Sequence, residues 1–383
     1  MNVLFLYSEV IDPQKGGVEK VTDIIADFLE KEGVGVFYLC LHKSRNNVNS
    51  KRQLFLPVQK SFFNKRNYSE LYNIIKTKNI NYIINQGALF RETANFSYLA
   101  IKLGIPIISV IHNSALSIID NYNIIYNKNS VIGRIITICY KFKSIKNLIR
   151  NIYVKKHRPH YQKLLEKSAS VVLLSDKYKE EFRILSGRQN LGNVLSIANP
   201  ITLNHIESLK ENRVLYVGRI NKAQKQINRL LTIWQRIEEK FPHWALDVVG
   251  DGEDLNDLKL EFKDLKNVNF HGFQNPIVYY KRAKLFCMTS SFEGLPMTLI
   301  EAQSFGVVPI AFNTFKSATD IIDNGSNGYL VCPYDEDEYF HKICNLIESP
   351  ELLQSMQIKA KEQSKKFDIN NIGRMWISLL KKI

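Results

Sequence analysis

Short apolar runs alternate along the chain with longer stretches in which apolar side chains recur every three or four positions. Val3–Tyr7, Val36–Leu41, Asn81–Asn85, Ile107–Ile111, Ala169–Leu174 and Val194–Ile197 read as strands. Between them, Val18–Lys31 sets Val21, Ile24, Ile25 and Phe28 on one helical face, and Tyr68–Lys78 and Thr93–Leu103 read as further helices. β-Branched strands alternating with helices predict α/β architecture with a parallel, doubly wound sheet. The stretch from Ser114 to Tyr161 breaks this rhythm; it is long, basic and partly helical.

A second alternation follows Asn199-Pro200 and a polar stretch, Asn204–Asn212, that reads as a linker. Strands are predicted at Arg213–Val217, Ala245–Val249, Val268–His271, Lys284–Met288, Val308–Ala311 and Gly328–Val331. Helices are predicted at Gln226–Lys240, with Ile227, Leu230, Leu231, Trp234 and Ile237 in phase, and at Glu253–Phe262, Pro276–Arg282 and Pro296–Phe305. The tail from Glu336 to Ile383 is helical. At 383 residues the chain exceeds one ordinary α/β core and divides into domains at 1–198 and 199–368.

The densest candidate chemistry lies in Ser291–Ala302. Glu293 sits in a loop punctuated by Gly294 and Pro296, and Glu301 lies about two turns inside the helix that follows. Proline suits the first helical turn, because its missing N–H would be unpaired there anyway. The free backbone N–H groups near Met297 and Thr298 would then face outward as an anion cradle. Carboxylates on either side of a phosphate cradle suit a nucleotide sugar, one accepting from sugar hydroxyls and the other from ribose hydroxyls. Upstream, Val214–Val217 reads as a buried strand ending at Gly218, where a ligand can approach the backbone. Arg219 then offers a planar fork and Lys225 a mobile point charge, a combination suited to a diphosphate. Gly16-Gly17 opens the helix after the first strand, and His112 ends a buried strand, where open α/β sheets place ligands. Gly250-Asp251-Gly252 is another strand-end loop, with Asp251 expected to cap the next helix.

These residues together resemble the retaining GT-B glycosyltransferases of family 4, the group 1 glycosyl transferases. The resemblance rests on Glu293 and Glu301, Arg219 and Lys225, Val249–Gly252, Phe270–Phe273, Gly16-Gly17 and His112-Asn113. It spans essentially the whole chain and is most specific from about Arg213 to Val331. The family often has glycine after the lysine, where this chain has Gln226. The resemblance implies two Rossmann-like domains facing a cleft, the N-terminal one binding the acceptor, the C-terminal one the nucleotide sugar. It implies that the helix at about 369–383 returns to the N-terminal domain. Glu293, Arg219, Lys225 and His112 become the catalytic residues. Glu301, Gly16, Gly17, Gly218, Gly294, Leu295, Met297, Thr298, Gly250 and Phe273 become donor contacts. The implied reaction is same-face transfer of a hexose-type sugar, assisted by the leaving phosphate. A sugar-nucleotide 2-epimerase shares this architecture, and a degenerate, non-catalytic assembly partner is the non-enzymatic alternative. A nicotinamide dehydrogenase is disfavoured by the missing glycine fingerprint.

No Asp-x-Asp element stands at a suitable strand end, and no pair among Cys40, Cys139, Cys287, Cys332 and Cys344 has metal-ligand spacing. No metal and no cofactor is therefore expected; the nucleotide diphosphate-sugar is a co-substrate. The scattered thiols, the absence of a leader pattern and the lack of an apolar run of about 18–20 residues predict a cytoplasmic protein without a membrane span.

The formal charge of +15 is unevenly placed. His42–Ser69 contains Lys43, Arg45, Lys51, Arg52, Lys60, Lys65 and Arg66 and no acid. Lys141–Lys167 contains Lys141, Lys143, Lys146, Arg150, Lys155, Lys156, Arg158, Lys163 and Lys167, with Glu166 the sole acid. Both runs are interleaved with apolar and aromatic residues, which suits an anionic inner-leaflet membrane surface. No nucleic-acid signature accompanies them, so no nucleic acid partner is expected. The expected partners are a nucleotide sugar and a lipid-linked saccharide acceptor, as in O-antigen, capsule or exopolysaccharide assembly.

Overall fold

The computed structural model describes all residues except 44–51, 60–61, 122–141 and 203–208. The chain forms two compact units. One comprises Met1–Asn113, Ile152–Thr202 and Phe367–Ile383; the other comprises Ser114–Asn151 and Leu203–Lys366. Arg45, Lys51, Lys60, Cys139 and Lys141, and most of the predicted linker, lie outside the described residues.

In chain order the elements are β1 (Asn2–Tyr7), α1 (Gly17–Lys31), β2 (Gly35–Cys40), β3 (Gln53–Phe55), α2 (Lys65–Thr77), β4 (Tyr82–Asn85), α3 (Arg91–Ser97), β5 (Ile107–Ile111), α4 (Ala115–Asp120), α5 (Lys143–Lys167), β6 (Ser170–Leu173), α6 (Lys179–Ser186) and β7 (Val194–Ser196). Then follow β8 (Arg213–Val217), α7 (Ile227–Lys240), β9 (Ala245–Val249), α8 (Leu255–Glu261), β10 (Val268–Gly272), α9 (Ile277–Arg282), β11 (Leu285–Met288), α10 (Met297–Ser304), β12 (Val308–Phe312), α11 (Ala318–Ile321), β13 (Tyr329–Val331), α12 (Glu336–Glu348), α13 (Pro350–Ser364) and α14 (Ile369–Lys382).

The first unit is a seven-stranded sheet in the order β3-β2-β1-β4-β5-β6-β7, and every described ladder in it is parallel. Its strands are almost uniformly apolar because helices cover both faces, as β5, buried at all five positions, illustrates. The order reverses direction at β1, so β1 and β4 flank a switch point, where crevices open at the carboxyl ends of strands. The tail rejoins this unit: Ile201 N–H donates to Phe367 O at 2.8 Å, and Ile369 N–H donates to Ile201 O at 2.9 Å. Asp368 caps α14, which buries Ile372, Trp376, Leu379 and Leu380. Gly373 lets α14 lie against α1, since a Cβ there would stand 2.4 Å from the Phe28 ring.

The second unit has a six-stranded parallel sheet in the order β10-β9-β8-β11-β12-β13. On α7, Ile227, Leu230, Leu231, Trp234 and Ile237 are fully buried, as their spacing predicts. The structure also holds elements the pattern did not announce. β3 is a short edge strand, and α6 is an eight-residue helix with Phe182 and Leu185 turned inward. The helix expected over Thr93–Leu103 tightens after Ser97 into a 3₁₀ segment that ends at Gly104 in left-handed conformation. None of the described helices is long and apolar enough to cross a membrane.

Gly373→Val should destabilise the protein by about 1–3 kcal/mol through overpacking against Phe28. Urea denaturation checks this, with Gly17→Ala as a control, because a Cβ there meets no atom within 4 Å.

Candidate functional site

Three neighbouring strands of the second unit end in glycine-bearing loops that bond to one another. Gly218 N–H donates to Val249 O, Gly250 N–H to Gly272 O, and Ile220 N–H to Asp251 O, at 2.8–3.0 Å. At Gly250, φ is +146° and a Cβ would fall 1.8 Å from Gly218 O, so only glycine fits. Asp251 does not cap α8. Its carboxylate accepts from Gly252 N–H, while Asp254 holds the position before the helix and accepts from Lys222 N–H.

The loop after β8 carries Arg219 and Lys225, and the loop after β11 carries Glu293. Hydroxyls and amides fasten the two. Thr289 Oγ1 lies 3.0 Å from both Lys225 O and Gln226 O, and Ser291 Oγ lies 3.2 Å from Ala223 O and 3.1 Å from Gln224 O. Ser291 N–H donates to Gln224 O at 2.7 Å, and the Gln224 side chain donates to Phe292 O at 3.2 Å. Thr314 Oγ1 holds Ser290 O from the other side at 2.6 Å, and Ser317 Oγ donates to Gly294 O.

This lacing brings Lys225 Nζ to 2.5 Å from Glu293 Oε1, with 20% and 9% of the respective side chains exposed. A carboxylate this buried needs a partner, and Lys225 supplies the countercharge. Burial, together with the Glu293 charge, holds the Tyr216 hydroxyl protonated well above the usual tyrosine range. Tyr216 donates instead to Arg219 O at 2.8 Å, fixing the loop's first turn. The Arg219 side chain is exposed. Glu253 is held below the usual carboxylate range by its own backbone N–H, by Asn221 and by the Arg219 charge.

Gln226 adopts φ +49°, a left-handed conformation that glycine takes freely. That conformation explains why a glycine is favoured after the lysine. Here Gln226 is retained through its side chain, whose Oε1 accepts from Arg229 Nε at 2.7 Å. Arg229 in turn pairs with Glu336 and lies 5.2 Å from the centre of the Tyr334 ring.

Helix α10 starts at Met297, with Pro296 in the capping position and no side chain capping the first amides. Glu301 is therefore the fifth helical residue, little more than one turn in rather than two. Tyr280 OH donates to Glu301 Oε2 at 3.1 Å, and the Tyr280 ring stacks on Phe305 at 5.7 Å. Gly294, Leu295, Met297 and Thr298 line the passage from Glu293 to this helix start. Phe273 follows Gly272 at the end of β10 and is 66% exposed.

Gly16, Gly17 and His112 belong to the first unit. Gly16 precedes α1, but Glu19 folds back toward it: a Cβ on Gly16 would meet Glu19 Oε2 at 2.4 Å. Burial raises the Glu19 carboxyl above its ordinary value. An anion approaching Gly16 meets that carboxylate first, whereas Gly17 is open. His112 Nε2 lies 2.6 Å from Gln86 Oε1, and burial lowers the imidazole to about 4, so the ring is neutral at pH 7. Gln86, at the end of β4, has no distinguishing mark in the sequence.

Among the described residues no group of three or more His, Cys, Asp or Glu side chains stands ready to hold a metal ion. The basic runs divide. Arg52 is engaged by Asp23, Asp27 and Glu30 at 2.5–3.2 Å and serves the first unit's own packing. On α5, by contrast, Lys143, Lys155 and Lys156 are exposed, with Leu148 and Ile152 60% and 57% exposed beside them.

Residues 203–363 match the sequence profile of the family described as glycosyl transferases group 1. An uncharacterized glycosyltransferase of Haemophilus influenzae is 26% identical over 382 residues, covering 95% of this chain and 96% of that protein. An alpha-1,4-N-acetyl-D-galactosaminyltransferase of Campylobacter jejuni, named for a PP-undecaprenol-linked saccharide, is 29% identical over 45% of this chain and 49% of its own. The crystal structure of Anabaena HepE in complex with UDP superposes with a TM-score of 0.75 at 14% identity, covering all of both chains. It shares this chain's fold, the GT-B arrangement of two parallel-sheet units.

Lys225→Ala should destabilise the protein by about 1–3 kcal/mol by leaving Glu293 buried without its countercharge. Adding Glu293→Gln should recover part of that loss. A double-mutant cycle in urea checks this, and additivity of the two changes would rule out the coupling.

Proposed function

We propose that this chain, whose residues 203–363 match the profile of the glycosyl transferases group 1 family, is a retaining glycosyltransferase. It moves a hexose-type sugar from a nucleotide diphosphate donor to a lipid-linked saccharide in bacterial surface-polysaccharide assembly. The observation that carries this reading is the buried Lys225–Glu293 pair beside the uncapped start of α10. A site that holds an ammonium, a carboxylate and free helix-start amides within one loop pair suits a sugar diphosphate.

In this reading the bond from the sugar's anomeric carbon to the diphosphate breaks first. The acceptor hydroxyl oxygen bonds to that carbon on the same face, and its proton passes to the leaving diphosphate oxygen. Arg219, Lys225 and the amides near Met297 and Thr298 stabilise the charge that builds on the diphosphate. Glu293 accepts from hydroxyls of the transferred sugar, and Glu301, oriented by Tyr280, accepts from the ribose. Gly218 and Gly250 allow close backbone approach, and Phe273 offers an exposed ring at the same edge. From the first unit, His112 and the Gly17 turn are assigned to the transferred sugar and the acceptor. Protein cations supply the positive potential, so turnover needs no added divalent metal.

The lipid-linked acceptor draws support from the Campylobacter relative's name and from the exposed Lys143, Leu148, Ile152, Lys155 and Lys156 of α5. A basic face with apolar side chains complements an anionic leaflet, inserting the apolar groups while the cations meet head groups.

UDP and GDP titrations by calorimetry, and hydrolysis of UDP-glucose, UDP-galactose, UDP-N-acetylglucosamine, UDP-N-acetylgalactosamine and GDP-mannose, test the donor site. Glu301→Ala and Arg219→Ala should each weaken nucleotide binding by about 1.5–3 kcal/mol without unfolding the protein. Turnover should persist in EDTA. Full nucleotide affinity in both variants would refute the site, and turnover restored only by magnesium or manganese would refute the metal-free mechanism.

Sedimentation with liposomes tests the acceptor side. The native protein should prefer phosphatidylglycerol vesicles over phosphatidylcholine vesicles. Changing Lys143, Lys146, Lys155 and Lys156 to Gln should reduce that partition by about ten-fold or more. Equal binding by the two proteins would remove α5 from any membrane role.

A further inference from the structure

We propose that Gln86 is a positioning residue that holds His112 in the tautomer with hydrogen on Nε2, leaving Nδ1 as a bare hydrogen-bond acceptor. The proposal rests on the reading that His112 meets the transferred sugar, and it adds the chemical role the imidazole plays there. It starts from the strand ends of the first unit. β1 and β4 flank the switch point, and Gln86 N–H donates to Leu6 O at 2.9 Å, extending the β1–β4 pairing by one residue beyond Asn85. The next strand, β5, ends at Ile111, which puts His112 beside Gln86 at the same edge.

The contact itself fixes the proton. Gln86 Oε1 is a carbonyl oxygen and only accepts; at 2.6 Å from His112 Nε2 it requires that Nε2 carry the hydrogen. A neutral imidazole has one N–H, so Nδ1 is then unprotonated. Burial keeps the ring neutral, and burial alone sets that shift, with no neighbouring charge contributing. Nδ1 makes no hydrogen bond among the described residues. Gln86 is 3% exposed, and its Nε2 atom is buried without a partner. A neutral ring with a bare Nδ1 accepts a hydrogen bond from a sugar hydroxyl. It neither repels the positive charge that develops at the anomeric carbon nor donates a proton to the diphosphate.

The test uses full-length protein labelled with [15N]histidine, with the His112 ring signals assigned by their loss in His112→Gln. The native spectrum should show a protonated Nε2 and a bare Nδ1 from pH 8 down to about pH 5. Gln86→Leu should release the ring to a mixture of tautomers. Gln86→Glu should raise the His112 titration by about one pH unit or more, because a carboxylate beside Nε2–H favours the imidazolium. The acid limb of donor hydrolysis, measured with whichever panel donor the native protein cleaves fastest, should move up with it. Gln86→Leu should lower kcat about ten-fold while leaving KM for that donor nearly unchanged, with thermal melts confirming that both variants fold. A native ring protonated on Nδ1, or one whose tautomer is unmoved by Gln86→Leu, overturns the proposal. Native-rate hydrolysis by His112→Gln would instead overturn the reading on which it rests, since the spectra report the Gln86–His112 geometry independently of turnover.

Discussion

Burial of the Glu293 carboxylate fixes how the loops after β8 and β11 of the second unit meet. A carboxylate with little solvent contact needs a fixed positive partner, and Lys225 reaches it only if the loops after β8 and β11 keep one relative geometry. Backbone pairing of β8 with β11 spans just two described residue pairs, Leu285 with Val214 and Phe286 with Leu215. Beyond them the strands hand over to side chains. The side chains of Thr289, Ser291 and Gln224 donate to backbone carbonyls of the facing loop, where the sheet no longer does so. Thr289, Ser290 and Ser291 are at most 1% exposed; the Thr289 and Ser291 hydroxyls are satisfied by loop carbonyls, and Ser290 contributes its own carbonyl to Thr314. The ion pair and the lacing support each other: without the lacing the charges separate, and without the charges a buried carboxylate would pull the loop open.

Much of this was legible because it depends on periodicity and on residue types with narrow uses. The strand runs and the face of α7 follow from burial on both sides of a sheet. Glu293, Lys225 and the strand-end glycines are legible for a related reason, since few residues serve where charge, a helix start and close backbone approach coincide. What stayed hidden depends on three-dimensional pairing. Gln226 marks a departure from the family's glycine, but only its φ of +49° shows that a left-handed turn is what the glycine serves. Asp251 has the composition of a helix cap, yet Asp254 takes that position because the loop must first pass Ile220 O, which stands 2.2 Å from where a Gly252 Cβ would be. Gln86 carries no local signal at all; its meaning comes from β4 and β5 lying side by side.

Charge shows the same division. A run such as His42–Ser69 looks like one basic surface in sequence, but Arg52 is folded into three carboxylates of α1. Tyr38, from β2, donates to Asp23 in the same cluster and its ring lies 5.7 Å below the guanidinium. Arg52 therefore anchors β3 and α1 rather than facing solvent, and its charge is spent inside the unit. The cations of α5 are different. Arg150 lies 3.5 Å from Asp120, but Lys143, Lys155 and Lys156 stand exposed beside exposed leucine and isoleucine. Net charge alone cannot separate these two cases; the separation comes from whether an acid on another element lies within reach.

The two units use their strand ends for opposite electrostatic purposes. In the second unit Arg219, Lys225 and an uncapped helix start gather positive potential, balanced at one point by Glu293. In the first, Glu19 folds over the start of α1, and burial keeps His112 neutral. The same parallel-sheet geometry thus yields an edge of positive potential in one unit and an uncharged or acidic edge in the other. That contrast is set by a few side chains rather than by topology. Glu19 bends its carboxylate back toward the start of α1 and accepts from its own backbone N–H, whereas Pro296, which has no side-chain acceptor, leaves the first amides of α10 without a side-chain cap.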